Sequence, residues 1–132
     1  MSSKSKGTRY ERELLHIFDK NKWAVIRAAG SGSTTITSTD LIVGNKKKHR
    51  YLAIECKAIK GKNKHIHSDG IKQLLEFSNK FGAEPWLAIR FNQIGWFFLN
   101  PKDIKKSKKG NFNISVELAK TKGKKLKELL KW

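Results

Sequence analysis

Three residues have the types and spacing to cut a phosphodiester. Asp40 precedes the pair Glu55 and Lys57, which flank Cys56. On an extended strand alternate residues share a face, so Glu55 and Lys57 point one way and Cys56 points into the opposite layer. Asp40 opens the extended run before them, and a hairpin of the two runs gathers two acids and a lysine at one end of a sheet. Carboxylates are hard oxygen ligands suited to Mg2+, which keeps several waters and accepts phosphate oxygens in its shell. Such a metal activates a water and offsets developing charge. A lysine beside the phosphate adds positive charge where the transition state needs it, or helps position the water. Charged groups on the mostly apolar run YLAIECKAI (51–59) cost desolvation energy and demand a reason. The plain alternative is a surface strand with Glu and Lys on its solvent face. Asp40, upstream and across a hairpin, favours the chemical reading.

The elements that must position these residues follow from periodicity. Residues 10–21 read as a helix, with Leu14, Leu15 and Phe18 at helical spacing. Thr8 is placed to cap it, with Glu11 three residues on as in a capping box. The apolar run 23–29 (WAVIRAA) reads as a buried strand, and 30–39 (GSGSTTITST) as a loop. Residues 40–43 and 51–59 read as strands of a hairpin, joined by a turn at Gly44-Asn45 and a basic loop. Residues 60–68 read as a basic, His-containing loop. Asp69 is placed to cap a helix over 70–80, which Gly82 ends. Strands follow at 85–91 and 95–99, then a basic loop over 102–111, a short strand over 114–118, and a terminal amphipathic helix over 124–132. The order α-β-β-β-α-β-β predicts an α/β domain, a central sheet flanked by helices. Residues 1–8 are expected to form a flexible basic arm, and 9–132 one domain.

Charge narrows the partner. The 132 residues carry 29 Lys+Arg against 11 Asp+Glu, a net +18, so nucleic acid is the leading partner. An anionic membrane surface is the alternative. No run of eighteen apolar residues exists to span a bilayer, and residues 1–6 are not followed by an apolar stretch, so neither a span nor a signal peptide is expected. The lone Cys56 cannot pair within the chain and fits a reducing interior. It reads as a buried small hydrophobe.

Other residues carry competing readings. Glu11 reads equally as the capping-box acid, and Glu13 is its rival, since positions i and i+2 of a helix point about 200° apart. His65 and His67 have a metal-binding spacing but no third ligand nearby, and fit better along a DNA-facing loop with Lys60, Lys62 and Lys64. Trp86, Trp96, Phe97 and Phe98 could stack on bases. On apolar strands they are more often core or subunit interface, and the W-F-F run suggests that one of them meets another chain.

The segments KGTRYERELL (6–15), AVIRAAGSGS (24–33), TDLIVGN (39–45), YLAIECK (51–57), EFSNKFG (76–82), PWLAIRF and GWFFL resemble the archaeal Holliday junction resolvase family, in order and spacing, from about residue 6 to 99. Asp40, Glu55 and Lys57 match the PD-(D/E)-x-K motif of the wider nuclease superfamily, with Thr39 where Pro is frequent. The resemblance implies a restriction-endonuclease-like single domain with a mixed five-stranded sheet. It implies that Glu11 is a third carboxylate at the metal site, that Ser31 belongs to the catalytic loop, and that Arg12 and Arg27 meet phosphates. Lys6 and Ser33 are expected at the DNA with Lys60, Lys62 and Lys64. The cofactor so implied is Mg2+, with Mn2+ as a substitute. The implied substrate is the four-way DNA junction, cut by in-line attack of water to leave 5′-phosphate ends.

Two cuts in strands of like polarity call for two sites, so a two-fold homodimer is expected, with the strand pair near Trp96 as its interface. An intracellular setting in an archaeal cell, or in the host of an archaeal virus, follows from the same resemblance. Three rivals stand beside this reading: a duplex-cutting repair or restriction-like nuclease, a non-catalytic basic binding module, and a metal-free RNA-splicing type using Tyr, His and Lys.

Overall fold

The computed structural model describes residues 3–28 and 36–131, with the backbone alone for residues 3–6. The first helix, α1, spans Ser3–Lys20. It runs back through most of the segment expected to be a basic arm. Thr8 is therefore an interior helical residue and not the cap. Leu14 and Phe18, one turn apart, are fully buried on the face that meets the sheet. The helix stops where Lys22 turns to a positive φ of 69° and the Trp23 N–H returns to the Phe18 carbonyl at 3.1 Å.

Strand β1 (Ala24–Arg27) pairs antiparallel with β2 (Leu41–Asn45), and β2 with β3 (Arg50–Ile59). The expected hairpin thus exists. Its turn is held by the Lys48 N–H donating to the Asn45 side chain at 3.1 Å. Strand β4 (Asn63–Ile66) leads into helix α2 (Ser68–Phe81), followed by β5 (Glu84–Phe91), β6 (Gly95–Leu99), β7 (Phe112–Ser115), α3 (Val116–Lys122) and α4 (Leu126–Leu130). The main sheet has the order β1-β2-β3-β5-β6, with β3 and β5 parallel and the other pairs antiparallel. The mixed five-stranded sheet matches the expected fold class.

Alternation along β3 separates the two faces. Leu52, Ile54 and Cys56 pack with Leu14, Phe18 and Trp23 on the α1 side, and Ala53 and Ile59 pack with Ile71, Leu74 and Ile114 on the other. The W-F-F run is divided between these layers, Phe97 to the α2 side and Phe98 to the α1 side, both buried. Trp96 is half-buried and donates its ring N–H to Glu13 at 2.9 Å. Strand β6 is met on its outer side at one position, where Phe98 and Lys124 exchange two backbone hydrogen bonds of 2.8 Å each. Phe97 and Phe98 are thus engaged within their own chain, while Trp96 keeps part of its surface exposed.

Four local expectations also change. The loop over 60–68 contains β4, which pairs with β7 as a two-stranded ribbon. The strand expected over 114–118 ends at Ser115, whose hydroxyl accepts from the Leu118 N–H at 3.0 Å and starts α3. The cap of α2 is His67, whose ring nitrogen accepts from the Asp69 N–H at 3.2 Å; Asp69 sits in the first turn. The terminal helix is short and follows a break at Gly123-Lys124. No helix among the described residues is long and apolar enough to cross a membrane.

Candidate active site

The site forms where two strands part. Strand β2 pairs with β3 only as far as Leu41 opposite Ile54, while β3 continues alongside β5 to Ile59. At the fork Asp40 takes over the missing ladder position. Its backbone N–H donates to the Ile54 carbonyl at 3.1 Å, and its carboxylate accepts from the Cys56 N–H at 2.8 Å. The Thr39 hydroxyl donates to the same Ile54 carbonyl at 2.8 Å, which secures the turn into β2. Asp40 is only 7% exposed, so its carboxylate is fixed beside β3 and drawn out of water.

Glu55 lies next to it and shares a hydrogen bond with the Asp40 carboxyl. Its own carboxyl is pushed up to about 9, first by burial, then by the Asp40 charge and that hydrogen bond, against the pull of Lys57. With no divalent cation beside it, Glu55 so placed favours its protonated form. The Cys56 thiol is raised well above its ordinary value, first by burial and then by Asp40, Glu11 and Glu55. It is held as an unreactive thiol in the α1-side core.

Glu11 reaches this field from α1. Its carboxyl is raised, chiefly by burial and then by the Asp40 charge, with Arg27 working against both. Arg27, at the end of β1, donates to Glu11 at 3.0 Å and to the Thr8 hydroxyl at 3.3 Å. Glu11 is therefore paired with Arg27 and does not stand in a closed cluster with Asp40 and Glu55. Among the described residues no three acids, histidines or cysteines gather closely enough to hold a metal alone, at this site or around His65 and His67. The Asp40–Glu55 pair still suits Mg2+, which needs only one or two carboxylates when waters and phosphate oxygens complete the shell.

Glu13 has a separate role. It meets Arg90 at 3.1 Å and Trp96 at 2.9 Å, so Glu11 and Glu13 reach the sheet from opposite flanks of α1, one toward β1 and the other toward β5 and β6. The expectation that only one of them faces the sheet is corrected: both do, because the sheet is wider than the helix. Arg90 also lies over the Tyr10 ring at 4.5 Å. Tyr10, Lys60, Arg90 and Asn92 line a small cleft just past Lys57, with Ala58 and Ile59 at its floor. Arg90 was missed by sequence reasoning, although a charge on the apolar run PWLAIRF is the same signal that singled out Glu55 and Lys57.

Of the other expected DNA contacts, Arg12, Lys60, Lys62 and Lys64 are exposed. Ser31, Ser33 and the Lys6 side chain lie outside the described residues.

A family model described as "Archaeal holliday junction resolvase (hjc)" matches residues 2–132. A curated relative from Archaeoglobus fulgidus, named crossover junction endodeoxyribonuclease Hjc, is 37% identical over 92% of this chain and 92% of its own length. A protein of the same name from Methanocaldococcus jannaschii is 41% identical over 73% of this chain and 66% of its own. Among solved structures, that of the Archaeoglobus fulgidus Hjc, titled a Holliday junction resolvase, superposes with a TM-score of 0.83 at 32% identity, covering 94% of each chain.

Proposed function

Since the chain belongs to the archaeal Holliday junction resolvase family, we propose that it is a crossover junction endodeoxyribonuclease that resolves four-way DNA junctions by paired, metal-dependent strand cuts. The observation that carries the catalytic reading is the Asp40–Glu55 pair, held at the strand fork with Lys57 next along the same face. Two adjacent carboxyls, one of them buried, are an awkward pair by themselves but a ready seat for a divalent cation.

Asp40 and Glu55 would hold Mg2+, or Mn2+ in its place. That ion supplies an activated water and charge compensation at the scissile phosphate. Fixed by its bond to the Cys56 N–H, Asp40 keeps its carboxylate beside that of Glu55. Lys57 brings a positive charge to the phosphate or orients the attacking water. Glu11 is the third acid of this proposal. Arg27 holds it when no DNA is bound; a backbone phosphate competing for the Arg27 guanidinium would release Glu11 toward the cation. Ser31 and Ser33, Arg12, Lys6, Lys60, Lys62 and Lys64 are proposed to meet the DNA. Because these contacts go to phosphate, they select the shape of the junction more than its sequence.

A two-fold homodimer is part of the proposal, because paired cuts need two symmetric sites and one chain offers one. The test compares an immobile four-way junction with linear duplex of the same sequence, in Mg2+ and in EDTA. Mg2+-dependent paired nicking of the junction alone is expected. No metal-dependent cutting of either substrate would overturn the enzyme reading, and equal cutting of both would replace the resolvase by a duplex nuclease.

A further inference from the structure

The lysines around Ser107 stand apart from the site and have no role in the chemistry above. Residues 104–115 (IKKSKKGNFNIS) contain four lysines and no carboxylate, and the stretch KGKNKHI (60–66) has three lysines and none. Lys105, Lys106, Lys108 and Lys109 are all exposed, as are Lys62 and Lys64. None of these six is in an ion pair with an acid among the described residues.

The turn that carries them is built, not loose. The Ser107 N–H donates to the Asn111 carbonyl at 2.6 Å, the Gly110 N–H to the Ser107 carbonyl at 2.9 Å, and the Asn111 N–H to the Ser107 hydroxyl at 3.2 Å. Gly110 takes the positive φ of 82° that closes it. Lys106 then bridges Phe112 at the start of β7, and β7 pairs with β4 so that Lys64 lies opposite Ile114. Ile66, Ile104 and Ile114 root the assembly in the core, and the Val116 N–H donates to the Lys62 carbonyl at 2.8 Å. Lysines on two stretches of chain are thus held as one ridge. Its first lysine, Lys62, follows Lys57 by five residues, in the connection between β3 and β4.

Fixing like charges together costs folding energy that a polyanion returns on binding. We propose that Lys105, Lys106, Lys108 and Lys109 extend the DNA contact of Lys62 and Lys64 along this ridge, which holds the backbone of a junction arm away from the cleavage site. The proposal rests on the junction-endonuclease reading. Duplex DNA fits because it presents about one charge per 1.7 Å along its axis, in a row a ridge of lysines can track. A lipid surface fits less well: KKSKKGN and KGKNKH carry no apolar side chain to insert below the headgroups.

The test uses the full-length chain and a variant with Lys105→Gln, Lys106→Gln, Lys108→Gln and Lys109→Gln, with melting curves to verify folding. Affinity is measured by titration across a salt series on two four-way junctions, one with arms long enough to pass the ridge and one with arms cut short of it. On long arms the variant is expected to bind on the order of tenfold more weakly at 0.1–0.2 M salt. Its plot of log affinity against log salt should flatten by up to about 4, since each neutralised phosphate contributes ~0.9. Short-arm affinity and the single-turnover cutting rate at saturating protein should match those of the unmodified chain. Unchanged affinity and slope on long arms would overturn the proposal. So would an equal loss on both junctions, which would make the effect general charge. A variant unaltered on DNA but released from phosphatidylserine vesicles would assign the ridge to membranes and also overturn it. Failure of the unmodified chain to bind either junction would sink the junction reading itself, a distinct result.

Discussion

At the scale of the residue, function hangs on the state of two carboxyls. Asp40→Asn or Glu55→Gln should leave junction binding intact while lowering cutting by at least about 100-fold, read by gel-shift and single-turnover assays. A collapse of binding with the fold intact would give those acids another role. Glu55 also makes a pH prediction. Its folded-state value, raised to about 9, lies above the ordinary carboxyl value of 4.5. The folded chain therefore binds the proton that the unfolded chain has released, and stability falls as pH rises through that window. Urea melts in EDTA should show this decline between about pH 5 and 9. Glu55→Gln should flatten it, and Mg2+ should stabilise the unmodified chain more at pH 8 than at pH 6, because ligation displaces the Glu55 proton. Arg27 offers a third test. Arg27→Ala should weaken DNA binding while tightening Mn2+ binding in the absence of DNA, measured by calorimetry, since it frees Glu11 from its 3.0 Å partner. Unchanged Mn2+ affinity would show that Glu11 takes no part.

At the scale of the element, what was legible in the sequence was whatever has a strong local signal. The 51–59 strand alternates, so its facing residues, its hairpin with Asp40 and the pairing of Glu55 with Lys57 could all be read from spacing. Gly82 announced the end of α2 and indeed adopts the left-handed conformation there. Strand β4 was not legible, because Asn63–Ile66 is polar and short and exists only through pairing with β7, far along the chain. The β-branched Ile114 and Val116 on either side disguised the Ser115 cap of α3. Arg27 holding Glu11 was equally hidden: each residue was a site candidate, but their contact depends on how α1 crosses β1. Packing of α1 gives the prediction at this scale. Phe18 is fully buried, with its ring centroid 6.5 Å from that of Trp23 and 6.2 Å from that of Phe98. Phe18→Ala should cost about 3–5 kcal/mol in urea denaturation and loosen the helix that brings Glu11 to the site.

At the scale of the whole molecule, the net charge of +18 makes DNA affinity steeply salt-dependent, and a flat salt profile would contradict the basic-surface argument. The dimer is tested by mixing. When unmodified chain and Glu55→Gln chain are refolded together, mixed dimers should nick one strand of the junction and leave the opposite strand whole, visible with separately labelled strands. Paired cuts from mixed dimers would mean that one chain supplies both. The backbone bridge between Phe98 and Lys124 has one more consequence. It interrupts the outer border of the main sheet at β6, so of that sheet's two border strands β1 is the one left without such a bridge among the described residues. β1 is also short, four residues from Ala24 to Arg27, so each border of the main sheet gives a stray strand little to pair with.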